Sequence, residues 1–94
     1  MRKIEKAMCE AVQMRTNWSE SNTIVKVFGD EVTVYLHGNA IYRVVDGVQY
    51  FTLAGWNTPT TRSRLHALGV GVTQKNFQPV YNWQVIEDNV WIKL

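Results

Sequence analysis

Residues 22–53 read NTIVKVFGDEVTVYLHGNAIYRVVDGVQYFTL, and the fold turns on this stretch. Apolar and polar residues alternate with a period of two through Thr23–Phe28, Val32–His37, Ala40–Val45 and Val48–Leu53, the pattern of half-buried strands. The separators Gly29-Asp30-Glu31, Gly38-Asn39 and Asp46-Gly47 are hairpin turns. Asp-Gly supplies the positive φ angles of a type I′ turn, and Gly-Asn puts glycine first, as a type II′ turn requires. A four-stranded antiparallel meander follows. Val32, Val34 and Leu36 share one face of their strand, and Thr33, Tyr35 and His37 share the other.

Upstream of the meander, residues 2–15 carry the period of a helix. Ile4, Ala7, Met8, Ala11, Val12 and Met14 fall within one arc at a hundred degrees per residue, while Lys6, Glu10 and Gln13 face away. Cys9 lies off that arc and is expected to be partly exposed. Downstream, NTPTTRSRLHALG at 57–69 reads as a shorter helix: Thr58 is its N-cap and Pro59 its first residue, with Thr60 or Thr61 as the cap if it starts later, and Gly69 or Gly71 is its stop. Trp56, at a Gly-Trp corner before this helix, is expected to be buried between helix and meander. A second β region ends in Tyr81–Ile86, the turn Glu87-Asp88-Asn89, and Val90–Leu94. The reading is a single α+β domain over 1–94: an N-terminal and a short central helix packed on an antiparallel meander, with a C-terminal hairpin joining or extending the sheet.

Composition agrees with that reading. A chain of 94 residues that is 46% hydrophobic and 19% charged is one globular domain with one core, and its four Trp, four Tyr and three Phe are needed largely to fill it. No window approaches a membrane span, and Met1-Arg-Lys-Ile-Glu-Lys lacks the apolar run of a signal peptide. With a single cysteine there is no internal disulfide, so the expected setting is the cytoplasm.

Charge is uneven although the net value is only +2. Gly47 to Ile86 contains no Asp or Glu, while Arg62, Arg64 and Lys75 lie inside it. Two arginines near a helix start oppose the macrodipole, at about 0.3–1 kcal/mol each. An anion held by free backbone amides, the hydroxyls of Thr60, Thr61 and Ser63, and the guanidinium groups of Arg62 and Arg64 would reverse that cost, with Lys75 alongside. The competing reading is that the arginines pair with Asp or Glu on another element or reach solvent. Tyr81 and Trp83 on one strand, and Trp91 with Lys93 on the next, form a second candidate surface, able to stack bases, anchor a protein partner, or simply complete a packed sheet.

The combination VYLHGNAI at 34–41 and GWNTPTTRSRLHALG at 55–69 resembles a set of small proteins encoded by tailed phages and some plasmids, mostly of unassigned function, across about three quarters of the chain. The shared pattern is Gly-Trp, a threonine pair, then Ser-Arg-Leu; His66 stands where the resemblance leads one to expect asparagine. It implies a viral or mobile-element origin and makes host-directed interaction an expectation.

Catalytic patterns are weak. Cys9, His37 and His66 have no ligand spacing, Asp30-Glu31 and Glu87-Asp88 are turn carboxylates, and Gly69-Val-Gly71 lacks the third glycine of a dinucleotide fingerprint. The functional expectation is a non-enzymatic protein without cofactor or metal that contacts nucleic acid or an acidic protein surface through the basic helix start. The alternative is a protein-binding inhibitor of a host factor in transcription or anti-phage defence. An apolar terminal strand, Val90–Leu94, leads to the expectation of a homodimer.

Overall fold

The computed structural model describes all of residues 1–94. Strands β1 (Trp18–Glu20), β2 (Thr23–Phe28), β3 (Glu31–Leu36), β4 (Asn39–Val45) and β5 (Val48–Phe51) follow helix α1 (Lys3–Met14). After helix α2 (Pro59–Ala67) come β6 (Thr73–Lys75), β7 (Gln78–Tyr81), β8 (Gln84–Val85) and β9 (Ile92–Lys93). One antiparallel sheet runs in the order β1-β2-β3-β4-β5-β9, and a second, three-stranded, runs β6-β7-β8. The architecture is α+β, as the alternation at 22–53 demands.

Period two sets the layers. Val25, Val32, Val34, Tyr42 and Phe51 point to one side of the large sheet, where they bury with Met8 and Ala11 of α1, Leu65 of α2, and Val70 and Val72 beyond it. Burial of this set is the main stabilising term, at roughly 25 cal/mol for each Å² removed from water. The small sheet joins the same side through Tyr81, whose ring meets Phe51 edge-on with centroids 4.8 Å apart. Between β3 and β4 the register slips: Val34 opposes Tyr42 but Tyr35 opposes Ala40, so Ile41 is the extra residue of a bulge and turns inward, 1% exposed.

Asp46-Gly47 forms the expected type I′ turn, with φ of 50° and 79°. The β3–β4 turn sits one residue earlier than expected, on His37-Gly38 at 51° and 81°, so it too is type I′ and Asn39 opens β4. The C-terminal hairpin differs as well. Tyr81 and Trp83 do not share a strand face, because Asn82 and Trp83 both adopt left-handed φ (54° and 68°) and turn the chain back into β8. The last residues leave that sheet altogether: Ile92 and Lys93 pair with Phe51 and Tyr50, extending the large sheet.

Trp56 is 60% exposed, a correction to its expected burial: its ring stands at the side of an open cavity and does not plug the space between meander and helix. Met14 is exposed rather than part of the apolar face, and Glu5 is buried in its stead.

Candidate nucleic-acid interface

The start of α2 forms as the sequence dictates. Thr58 Oγ1 accepts the Thr61 N–H at 3.1 Å, and the two hydroxyls bond each other at 2.9 Å. This capping consumes most of what an anion would need. Pro59 has no N–H, Thr61 N–H is held by Thr58, and Arg62 N–H reaches the Thr58 carbonyl, leaving Thr60 N–H alone without a partner.

Ser63 and Arg64 are turned inward, onto α1. Arg64 is 3% exposed; its Nη1 lies 2.8 Å from Glu5 Oε2, Nε donates to Thr23 Oγ1 at 3.1 Å, and Nη2 donates to Asn22 Oδ1 at 3.3 Å. Ser63 Oγ donates to the same Glu5 oxygen, and Arg2 N–H reaches the other. Burial pushes the Glu5 carboxyl up, but the bonds from Ser63, Arg64 and Arg2 and the charge of Arg64 outweigh it and hold the group below its ordinary value. Arg64 is therefore the partner of an acid on another element. Only a buried carboxylate at the third position of α1, masked in sequence by the apolar residues around it, could have signalled this.

Arg62 stays at the surface, donating to the Asn57 carbonyl and side chain and to Gln74 Oε1 at 3.3 Å. Lys75 is exposed at the end of β6. Of the expected anion ligands, then, Thr60, Arg62 and Lys75 keep exposed or half-exposed positions, while Thr61 is buried within the cap and Ser63 and Arg64 hold α2 to the body of the protein. Tyr81 is half-buried on Phe51, Trp83 is 95% exposed at a turn tip, and Trp91 lies elsewhere, on the large sheet. The three do not form one stripe.

Cys9 donates its thiol to the Ala67 carbonyl, and burial and the Glu5 charge push its pKa up, away from nucleophilic thiolate. His66 Nε2 lies 2.6 Å from the Val72 carbonyl, and His37 occupies the β3–β4 turn. No three His, Cys, Asp or Glu side chains converge.

A surface that the linear sequence conceals emerges on the large sheet's other face, opposite both helices. Pairing aligns Lys26 with Thr33, Thr33 with Arg43, Arg43 with Tyr50, and Tyr50 with Lys93. The result is a row across five strands in which three cations alternate with Tyr50 and with Thr33, itself covered at 4% exposure, its hydroxyl donating to Glu31. Aromatic rings flank it: Lys26 Nζ lies 5.4 Å from the Tyr35 ring centre, and Arg43 Cζ lies 4.8 Å from that of Trp91. The acid within the row's reach is Glu31. Its Oε1 is 3.0 Å from Arg43 Nε but off line for a hydrogen bond, so the Nε–H has no acceptor.

The fold and this face define a small α+β protein with a sheet covered on one side and basic and aromatic on the other. A family model described as Kyanoviridae Gp96 protein matches residues 1–93, and the chain belongs to that phage protein family. Comparison with curated proteins and with solved structures gives no match. No helix is long and apolar enough to cross a membrane.

Proposed function

We propose that this phage protein is a non-enzymatic binder of single-stranded nucleic acid, which it lays across the open face of its large sheet. Lys26, Arg43 and Lys93 contact phosphates, and Tyr35, Tyr50 and Trp91 stack on bases. The observation that carries this is the row Lys26–Thr33–Arg43–Tyr50–Lys93, because three cations in one line, with the Tyr50 ring among them and Tyr35 and Trp91 beside them, offer the combination of charge and π-faces that single strands bind. The cations that now cover rings are no obstacle. An exposed cation–π contact contributes about 0.5–1 kcal/mol, whereas stacking a base contributes about 1–3 kcal/mol, so exchange favours the base. Arg62 and Lys75, on the far side of the molecule, add to the positive potential that draws the polyanion in.

Fluorescence anisotropy with a labelled single-stranded 12-mer, as DNA and as RNA, tests the reading. Wild type should bind at low salt, and Lys26→Gln with Lys93→Gln should weaken binding and flatten the plot of log affinity against log salt by roughly 0.7 for each phosphate no longer neutralised. Absence of binding by wild type at 50 mM salt, or an unchanged slope in the variant, would sink it.

A second reading rests on Phe77 and Trp83, 90% and 95% exposed at the tips of consecutive turns of the small sheet. Rings held out in this way suit insertion into pockets of a host protein. Such binding depends little on salt, so the same titration separates the two readings.

A further inference from the structure

The two stretches that make the Gly-Trp and Leu-His-Gly segments recognisable in the sequence converge on one cavity. It has a volume of about 450 Å³ and lies between the β3–β4 turn, the corner at 53–56 and the first turn of α2. Its floor is Leu36, Ile41 and Leu53, none more than 4% exposed, and Trp56 forms a wall while remaining 60% open to solvent. Three features of the backbone shape it: the bulge that turns Ile41 inward, His37 at φ 51°, and Ala54 at φ 53°. Left-handed backbone is unfavourable for a non-glycine residue, so the lip is held in a shape that local preference opposes.

We propose that this cavity takes a nucleobase. The grounds are shape and charge. No Lys, Arg, Asp or Glu lines the cavity, so a phosphate or a charged side chain would be desolvated there without a partner. A flat neutral ring suits an apolar floor beside an indole face, as base-stacking platforms do. Around the rim, polar groups remain free to read the ring's edge: Thr60 N–H has no partner, and the His37 ring makes no hydrogen bond. The mutual bond of the Thr58 and Thr61 hydroxyls fixes the rim in place. A base has two sources, a free nucleoside or a strand. The second rests on the reading of the open face above: Tyr35 and Leu36 point to opposite faces of β3, so a strand base reaches the cavity where the strand turns aside from the basic row and rounds the β3–β4 end of the sheet.

The test is a titration of ¹⁵N-labelled protein with adenosine, guanosine, cytidine and uridine, and separately with the single-stranded 12-mer, following the Thr60 amide and the Trp56 indole N–H. Shifts at both with the 12-mer support a strand base in the cavity, and Trp56→Ala should then weaken the 12-mer roughly tenfold, with Trp56→Phe recovering most of the affinity. Because Trp56 carries no phosphate contact, its salt slope should stay that of wild type, whereas the Lys26 and Lys93 variant changes the slope and leaves the Thr60 shift in place. Shifts with nucleosides and no binding of the 12-mer support the cavity with a free source and sink the open-face reading. A 12-mer that binds with a salt slope while Thr60 and Trp56 stay still, and nucleosides that shift neither, overturn the cavity and spare the face. The exposure of Trp56 keeps its variants folded, and an unchanged melting temperature verifies that.

Discussion

Arg64 shows how one interaction decides what a residue is for. Read as part of the helix start it looks like an anion ligand; it stands sixth in α2, in the last turn, where a cation favours the macrodipole, and buried against Glu5 it is the tie between α1, α2 and the start of β2. Removing one partner of a buried pair leaves an uncompensated charge, so Arg64→Gln and Glu5→Gln should each cost about 3–5 kcal/mol, a large fraction of the stability of so small a domain. The double variant should cost less than the sum, since the two share one interaction. Urea unfolding of the three variants measures this, and additive costs would show that the groups act independently. A pH dependence accompanies it. The Glu5 carboxyl lies below its ordinary 4.5 when folded, so the unfolded chain takes the proton more readily. The stability it contributes is complete above that value and drains as pH falls through the folded value. Melting temperature should hold nearly level from neutral pH to about 5 and fall below it, and Glu5→Gln should remove that share of the decline. Arg62, by contrast, is bonded only to Asn57 and Gln74, and Arg62→Gln should change stability by no more than roughly 0.5 kcal/mol.

Among the elements, the hairpins of the meander were readable because Asp46-Gly47 and Gly38 announce turns by conformational need, and α1 because its apolar arc is continuous. The small sheet was not, since its turns are made by residues that advertise nothing. Asn76-Phe77 and Asn82-Trp83 each occupy the paired left-handed positions where Asn-Gly is the common solution, with Phe77 at φ 64° and Trp83 at φ 68°. Asparagine tolerates that region; phenylalanine and tryptophan do so at a cost. Phe77→Gly and Trp83→Gly should therefore each stabilise the fold by about 1 kcal/mol, raising the melting temperature by roughly 4–8 °C, because both rings stand in solvent and neither contributes to the core. Thermal melts check it, and a fall in melting temperature would mean that the rings pack on something. A gain on substitution would also single these rings out as retained for binding a partner rather than for the fold, since they oppose stability where they stand.

For the whole molecule, the sequence told which residues alternate but not which strands lie side by side. The basic row could not be read linearly: Lys26, Arg43 and Lys93 are scattered over the chain, and only the registers of β2 to β5 and the return of β9 to β5 bring them into line. The acid-free stretch from Gly47 to Ile86 pointed to the opposite side, where Arg64 is neutralised by Glu5. That return of β9 also leaves an open edge at which a homodimer can be tested. β9 is a short edge strand joined by Tyr50↔Lys93 and Phe51↔Ile92, with Leu94 N–H donating to the Gln49 carbonyl, and its outer edge is unpaired. Two copies pairing edge to edge through β9 would make a continuous twelve-stranded sheet with the basic faces side by side. Such pairing brings the two Lys93 side chains near each other, and like charges across a strand pair are unfavourable. Dimerisation should therefore be weak at low salt and strengthen as salt screens the pair, or as a single strand spanning both faces neutralises them. Sedimentation should show a concentration-dependent shift from 10.9 kDa toward twice that mass, larger at 0.5 M than at 0.05 M salt, and Lys93→Pro should abolish it, because the Leu94 bond to Gln49 sets Ile92 and Leu94 toward β5 and leaves the Lys93 N–H on the outer edge. A single 10.9 kDa species at millimolar protein in both salts, with and without the 12-mer, would remove the dimer and leave each protomer to bind alone.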